Sequence, residues 1–196
     1  MRTYLLFAGV NGAGKSTLYR TLAPDVLNMP RVNTDEIVKT FGDWRNLGDV
    51  IKAGKIAIRQ IESNFSSGIS FNQETTLCGT SIMKNILRAK KSGYAVIVHY
   101  VGIESVTIAK ERVRKRVKDG GHGIPDEDID RRYIESFQKL MDIIPLCDQV
   151  ILYDNTKTFE RIAVYEKGVM LVEIPPLPNW YLKLKSRLQG SMGQSI

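Results

Sequence analysis

Cysteine is scarce in this chain: only Cys78 and Cys147, far apart and in neither a metal-ligand nor a redox spacing. A disulfide framework is thereby excluded. Two solitary thiols fit a reducing cytoplasm, with packing as their expected role. Long apolar runs are also missing; none approaches the roughly 18 residues of a membrane span. The first residues lack the apolar core and cleavage site of a secretory leader, so the expectation is a cytoplasmic protein without a membrane partner. Repeats, linkers and low-complexity stretches are absent too. With 43% hydrophobic and 25% charged residues, the 196-residue chain reads as one globular domain over residues 1–196.

Charge is unbalanced, with 28 Lys and Arg against 21 Asp and Glu, a net +7. The excess is partly local, in Lys110–Lys118, "KERVRKRVK", and an acidic cluster follows at Asp126, Glu127, Asp128 and Asp130. A nucleic-acid surface is more often continuous and interleaved with aromatics; here Tyr133 is the nearest one. Smaller polyanions such as nucleotides and sugar nucleotides are therefore the expected partners, and nucleic acid is not.

Apolar runs and turn signals alternate in the β-α-β manner. Strands are predicted at Thr3–Ala8, Arg31–Asn33, Ile69–Gln73, Tyr94–Val101 and Gln149–Tyr153, and a hairpin at Ile162–Glu166 and Val169–Ile174 around Lys167-Gly168. Helices are predicted from Lys15, over Leu47–Ser66, after Thr80 or Ser81, over Glu104–Lys118, and from Pro125 to Ile144. The alternation implies an α/β fold: a mostly parallel five-stranded sheet with helices on both faces, then a C-terminal hairpin, a short basic helix and a frayed end.

Near the start stands "FAGVNGAGKST", in which Gly9, Gly14, Lys15 and Ser16 complete the pattern G-x-x-x-x-G-K-[ST] between a strand and a helix. Such a loop wraps backbone N–H groups around phosphates at a helix N-terminus. Gly9, Asn11, Gly12, Ala13, Gly14, Lys15, Ser16 and Thr17 are thus the candidate nucleotide-binding residues. Lys15 would reach the β- and γ-phosphates, and Ser16 would ligate Mg²⁺.

Asp35 follows the second strand, where carboxyl ends of strands face the ligand crevice. It is a candidate base for an attacking hydroxyl, although Asn33, Thr34 or Asp35 could equally cap the helix that follows. Glu74 and Thr76, in Asn72–Thr76, offer groups for sugar-like hydroxyls or for a metal's water shell. Capping the next helix is the plainer alternative. Arginines at 112, 114, 116, 131 and 132 flank a glycine-rich turn in residues 110–133. They would serve as a lid neutralising transferred charge, or simply pair with Asp126–Asp130. His122 has no sequence partner and suggests a loop-fixing hydrogen bond, while His99 suggests a core histidine.

Two further absences bear on the choice. "AVIVHYVG", the apolar strand expected to end in a Walker-B acid, has none, and no N-K-x-D guanine-reading segment occurs. Motors and switch GTPases usually carry such an acid on a strand, so a small kinase is the expected class.

The ordered set of P-loop, N-x-D, E-T-T and "RVRKRVKDGGHGIP…RRY", with Asp148 and Tyr153–Asn155, resembles the zeta toxin family over about Thr3–Asn155. The resemblance implies a P-loop kinase fold. It also implies ATP- and Mg²⁺-dependent phosphorylation of a hydroxyl of UDP-N-acetylglucosamine or a related sugar nucleotide, and a possible antitoxin partner. It assigns Asp35 as catalytic, the loop from Gly12 to Thr17 to phosphate, Glu74 and Thr76 to the acceptor, and Arg116 and Arg132 to charge stabilisation beside Lys15. Arg112, Arg114 and Arg131 are alternatives at neighbouring positions. A nucleic-acid-directed ATPase or polynucleotide kinase and a non-catalytic ATP-binding module are the rival readings.

Overall fold

Tyr4 to Ala8 are buried on both sides of the chain, the mark of a strand covered twice. In the computed structural model, which describes residues 1–22 and 24–192, they form the centre of the sheet as β1 (Thr3–Ala8). Around it lie β2 (Arg31–Val32), β3 (Phe71–Thr75), β4 (Ala95–Gly102), β5 (Gln149–Asp154), β6 (Glu160–Glu166) and β7 (Val169–Glu173) in the order β2-β3-β1-β4-β5-β6-β7. The first five are parallel.

Period-2 alternation divides the core in two. Tyr4, Leu6 and Ala8 face one layer, with Ala57, Ile61 and Phe65 of α4 (Leu47–Ser66) and Ile82, Ile86 and Ala89 of α5 (Ser81–Lys91). Leu5 and Phe7 face the other, with Leu18 of α1 (Lys15–Thr21) and Ala109 and Val113 of α6 (Val106–Lys118). α7 (Asp126–Ile143) joins both: Ile129 enters the second layer, Leu140 and Ile143 the first. α8 (Asn179–Met192) covers the first layer with Trp180, Tyr181 and Leu184. The short α2 (Pro24–Leu27) and α3 (Thr34–Lys39) flank β2.

The expected α/β sheet with helices on both faces is present, with seven strands rather than five and a separate hairpin. The β5–β6 connection, residues 155–159, is too short for a crossover, so β6 pairs antiparallel with β5 and brings β7 into the same sheet. The expected hairpin turn is there, with both Lys167 (φ 47°) and Gly168 (φ 84°) left-handed. β3 runs two residues later than expected, because its pairing with β1 begins at Tyr4↔Phe71 and leaves Ile69 exposed. That shift puts Glu74 inside the strand, level with Phe7. Of the expected tail, the helix is α8, and the frayed end at residues 193–196 lies outside the described residues.

Candidate active site

The P-loop leaves β1 at its carboxyl end and needs glycine at two positions, each left-handed and with a neighbour where a Cβ would stand. At Gly9 (φ 135°) a Cβ would stand 2.4 Å from the Val101 carbonyl oxygen on β4. At Gly14 (φ 110°) it would stand 2.4 Å from Nδ2 of Asn155, which donates to the Ala13 carbonyl at 2.7 Å. Gly14 is the N-cap of α1 and offers no side chain to its first amides, which stay available to an anion. The Lys15 ammonium donates to the Val10 carbonyl oxygen at 3.1 Å.

Glu74 is the hub beside this loop. Its carboxylate accepts from Ser16 Oγ at 3.0 and 3.1 Å, from Arg31 Nη2 at 2.5 Å and from Asn33 Nδ2 at 3.0 Å, with Lys15 Nζ at 4.0 Å. Arg31 in turn lies 3.8 Å over the Tyr19 ring and 3.3 Å from Glu36. The acid beside the P-loop comes from β3, the neighbour of β1 opposite β4. β4 carries no such acid, as its residues indicated, and an acid at the carboxyl end of β3 touches the P-loop serine instead. Residue spacing names Glu74 as a possible metal-shell group; strand order is what sets it against the P-loop serine.

Three candidates existed for the cap of α3. Asn33 fills the role, its Oδ1 accepting from the Asp35 amide at 2.9 Å and the Glu36 amide at 3.4 Å. Asp35 is thereby released from capping, and its carboxyl lines a cleft of about 700 Å³ with Asn11, Lys15, Glu74, Thr76, His122 and Arg132. Burial draws the Lys15 pKa down; Glu74 and then Asp35 oppose it, while Arg116 and Arg132 add to it. All four charged groups act on the same ammonium.

The arginines separate into two sets. Arg131 pairs with Asp128 at 2.6 Å and Glu135 at 3.2 Å, Arg114 pairs with Asp126, and Lys110 pairs with Asp130 at 2.7 Å. These follow the plainer expectation of a solvated helix pair. Arg132, one residue on and lining the same cleft, donates instead to Asn11 Oδ1 of the P-loop at 3.2 Å. Arg112 gives one nitrogen to the Thr156 carbonyl at 3.2 Å and keeps Nη1 buried and unpartnered. Arg116 keeps both Nε and Nη2 buried without a partner. Uncompensated guanidinium nitrogens beside the P-loop fit an anion's oxygens.

His122 is not isolated, as its sequence neighbourhood suggested. Its Nε2 lies 3.5 Å from Asp35 Oδ1, and its ring stands 5.3 Å from that of Trp44. His99 is a core residue, stacked between Phe7 and Tyr153 and hydrogen-bonded to the Tyr153 hydroxyl at 3.0 Å. Burial pushes its pKa down to about 4. Cys147 is buried and its thiol pushed up to about 12, which leaves it inert.

A glycine-rich phosphate loop on the central strand, an acid on the next strand and arginines facing both define an α/β P-loop protein with a kinase-like site. The chain belongs to the zeta toxin family, whose model matches residues 2–169. An uncharacterized protein of Haemophilus influenzae is 34% identical over 129 residues, 66% of this chain and 91% of that protein. Among solved structures, the AvrRxo1-ORF1:-ORF2 complex with ATP has a TM-score of 0.71 at 14% identity, covering 96% of this chain. The chain spans 63% of the length of that protein. The PezAT toxin–antitoxin system of Streptococcus pneumoniae gives a TM-score of 0.61 at 14% identity, with all of this chain and 88% of that one covered. These two likenesses show a common fold.

Proposed function

We propose that this protein is an ATP-dependent kinase that moves the γ-phosphoryl group of ATP to a hydroxyl of a sugar nucleotide, with UDP-N-acetylglucosamine as the leading acceptor. The observation that supports it most is the placement of Asp35, freed from capping, on the same cleft as Lys15, Glu74 and Arg132. In the reaction the acceptor oxygen bonds to the γ-phosphorus, the bond from that phosphorus to the β–γ bridging oxygen breaks, and the hydroxyl proton passes to Asp35. ADP leaves. The loop from Gly9 to Thr17 would hold the phosphates, and Arg116 and Arg132 would neutralise charge on the transferred group. The orphaned nitrogens of Arg116 fit that use.

Ser16 Oγ and the Glu74 carboxylate, oxygen donors 3.0 Å apart, suit a hard divalent cation such as Mg²⁺. When bound, such an ion would supply charge neutralisation at the phosphate oxygens. Glu74 thereby serves metal and loop together, and Thr76, on the cleft wall, is left to the acceptor. Family membership supports an antitoxin as a protein partner, and the thiol chemistry supports a cytoplasmic setting.

The test is incubation with γ-labelled ATP and a panel of sugar nucleotides, nucleosides and oligonucleotides, with Asp35→Ala as control. Labelling of a sugar nucleotide by the wild type alone is expected. Labelling confined to oligonucleotides would replace this reading by a polynucleotide kinase, and ATP turnover with no labelled acceptor would replace it by a hydrolase.

A further inference from the structure

His122 sits in the cleft without a part in the reaction just described, yet the chain holds it closely. Its loop closes on α6 through the Gly121 amide, which donates to the Arg116 carbonyl at 2.8 Å. Gly123 lets the backbone lie against Trp44, since a Cβ there would stand 2.5 Å from the indole. These two contacts aim Nε2 at Asp35 Oδ1, 3.5 Å away, and leave Nδ1 buried with nothing to bond.

That asymmetry selects a tautomer. A proton on Nδ1 would be a buried donor without an acceptor, the costlier of the two orphans; a proton on Nε2 faces a carboxylate. The charged groups acting on the ring are Asp35 and Lys39 from α3, Asp43 from the turn after it, Arg116 from α6 and Arg132 from α7. Burial leads in drawing the His122 pKa below the usual histidine value; Asp35 opposes it, and Arg116, Lys39 and Arg132 reinforce it. The ring is therefore neutral near pH 7.

We propose that His122 is a positioning residue for Asp35: as a neutral imidazole it presents Nε2–H to one carboxylate oxygen and so turns the other toward the acceptor hydroxyl. A neutral donor orients the base without the penalty of a full positive charge, which would make the carboxylate a poorer proton acceptor. A 3.5 Å separation suits a contact that shortens once substrate fills the cleft. The inference rests on the kinase reading for its catalytic consequence, and on the Asp35–His122 geometry alone for the pair itself.

The test has two arms. In the first, His122→Gln keeps a side-chain N–H donor near the place of Nε2, and His122→Leu keeps bulk against Trp44 but donates nothing. With the acceptor found in the panel above, His122→Leu should lower kcat about 10- to 100-fold, with the KM for ATP within about twofold, and His122→Gln should stay within about threefold of wild type. Equal losses in both would overturn the proposal.

The second arm needs no activity. His99 is the one other histidine, so ring ¹⁵N spectra of the full chain are readily assigned. His122 should show the Nε2–H tautomer, and Asp35→Asn should lower its pKa further, because a neighbour that favours the charged ring is gone. An Nδ1–H tautomer, or a His122 titration indifferent to Asp35→Asn, would overturn the pair. If the wild type phosphorylates nothing, the kinase reading fails, and the spectra still decide whether the pair exists; they decide too if the leucine variant does not fold.

Discussion

The Glu74 side of the P-loop and the α6–α7 arginine segment are built on different plans. Around the P-loop the charged groups are mostly matched: Glu74 takes hydrogen bonds from Ser16, Arg31 and Asn33, and Lys15 gives one to Val10, with Arg31 Nε left buried and unpartnered. Behind the cleft, on α6, Arg112 and Arg116 keep buried nitrogens with no partner, while Arg114 and the cleft-lining Arg131 spend theirs in exposed ion pairs. A mostly matched side holds its shape alone. An unsaturated one carries a desolvation cost that an anionic ligand would relieve. The phosphate loop is thus a preorganised cradle, and the arginine segment the side whose stability a nucleotide should raise.

The largest effects test the catalytic contrast. Asp35→Asn should lower transfer by about 10²- to 10⁴-fold and Lys15→Ala at least as much, with circular dichroism unchanged. Arg116→Ala should cost roughly 10²- to 10³-fold in kcat, whereas Arg114→Ala and Arg131→Ala should stay within about twofold. Equal losses at Arg116 and Arg114 would erase the distinction between buried and solvated arginines in that segment.

Stability sharpens the other half. Glu74→Ala leaves Arg31 and Lys15 without their shared partner and should cost about 3 kcal/mol in urea unfolding. Beneath the same loop, His99 stacks on Phe7 with its pKa lowered from 6.5 to about 4. The unfolded chain binds this proton more readily than the folded one, so stability is full above about pH 6.5. It falls as the pH drops from there toward 4, by about 3 kcal/mol in all. His99→Phe should flatten that part of the stability–pH profile by one proton. The smallest effect lies far from the cleft, where Gly168→Ala, at φ 84°, should cost about 1 kcal/mol.

Much of this was legible in the residues. The P-loop pattern, the Leu47–Ser66 helix and the Lys167-Gly168 turn all follow from short-range rules that spacing alone expresses. What stayed hidden depends on which strands become neighbours. The residues leave Glu74 open to acceptor or metal shell, because nothing in its spacing says that β3 lies beside β1 with Glu74 level with Phe7. His122 looked solitary because Asp35 is far away in sequence and meets it only through packing against Trp44. Among the arginines, the choice between 131 and 132 turned on which side chain reaches the P-loop. The sheet's extension to seven strands was missed because a hairpin's sequence does not say which edge it joins.

The most direct measurement is phosphoryl transfer from γ-labelled ATP to UDP-N-acetylglucosamine by the wild type and by Asp35→Ala in parallel. A labelled sugar nucleotide from the wild type, with none above background from the variant, is the predicted result. Labelling by Asp35→Ala at the wild-type rate would contradict the assigned base. Labelling of an oligonucleotide with no sugar nucleotide labelled would contradict the assigned acceptor.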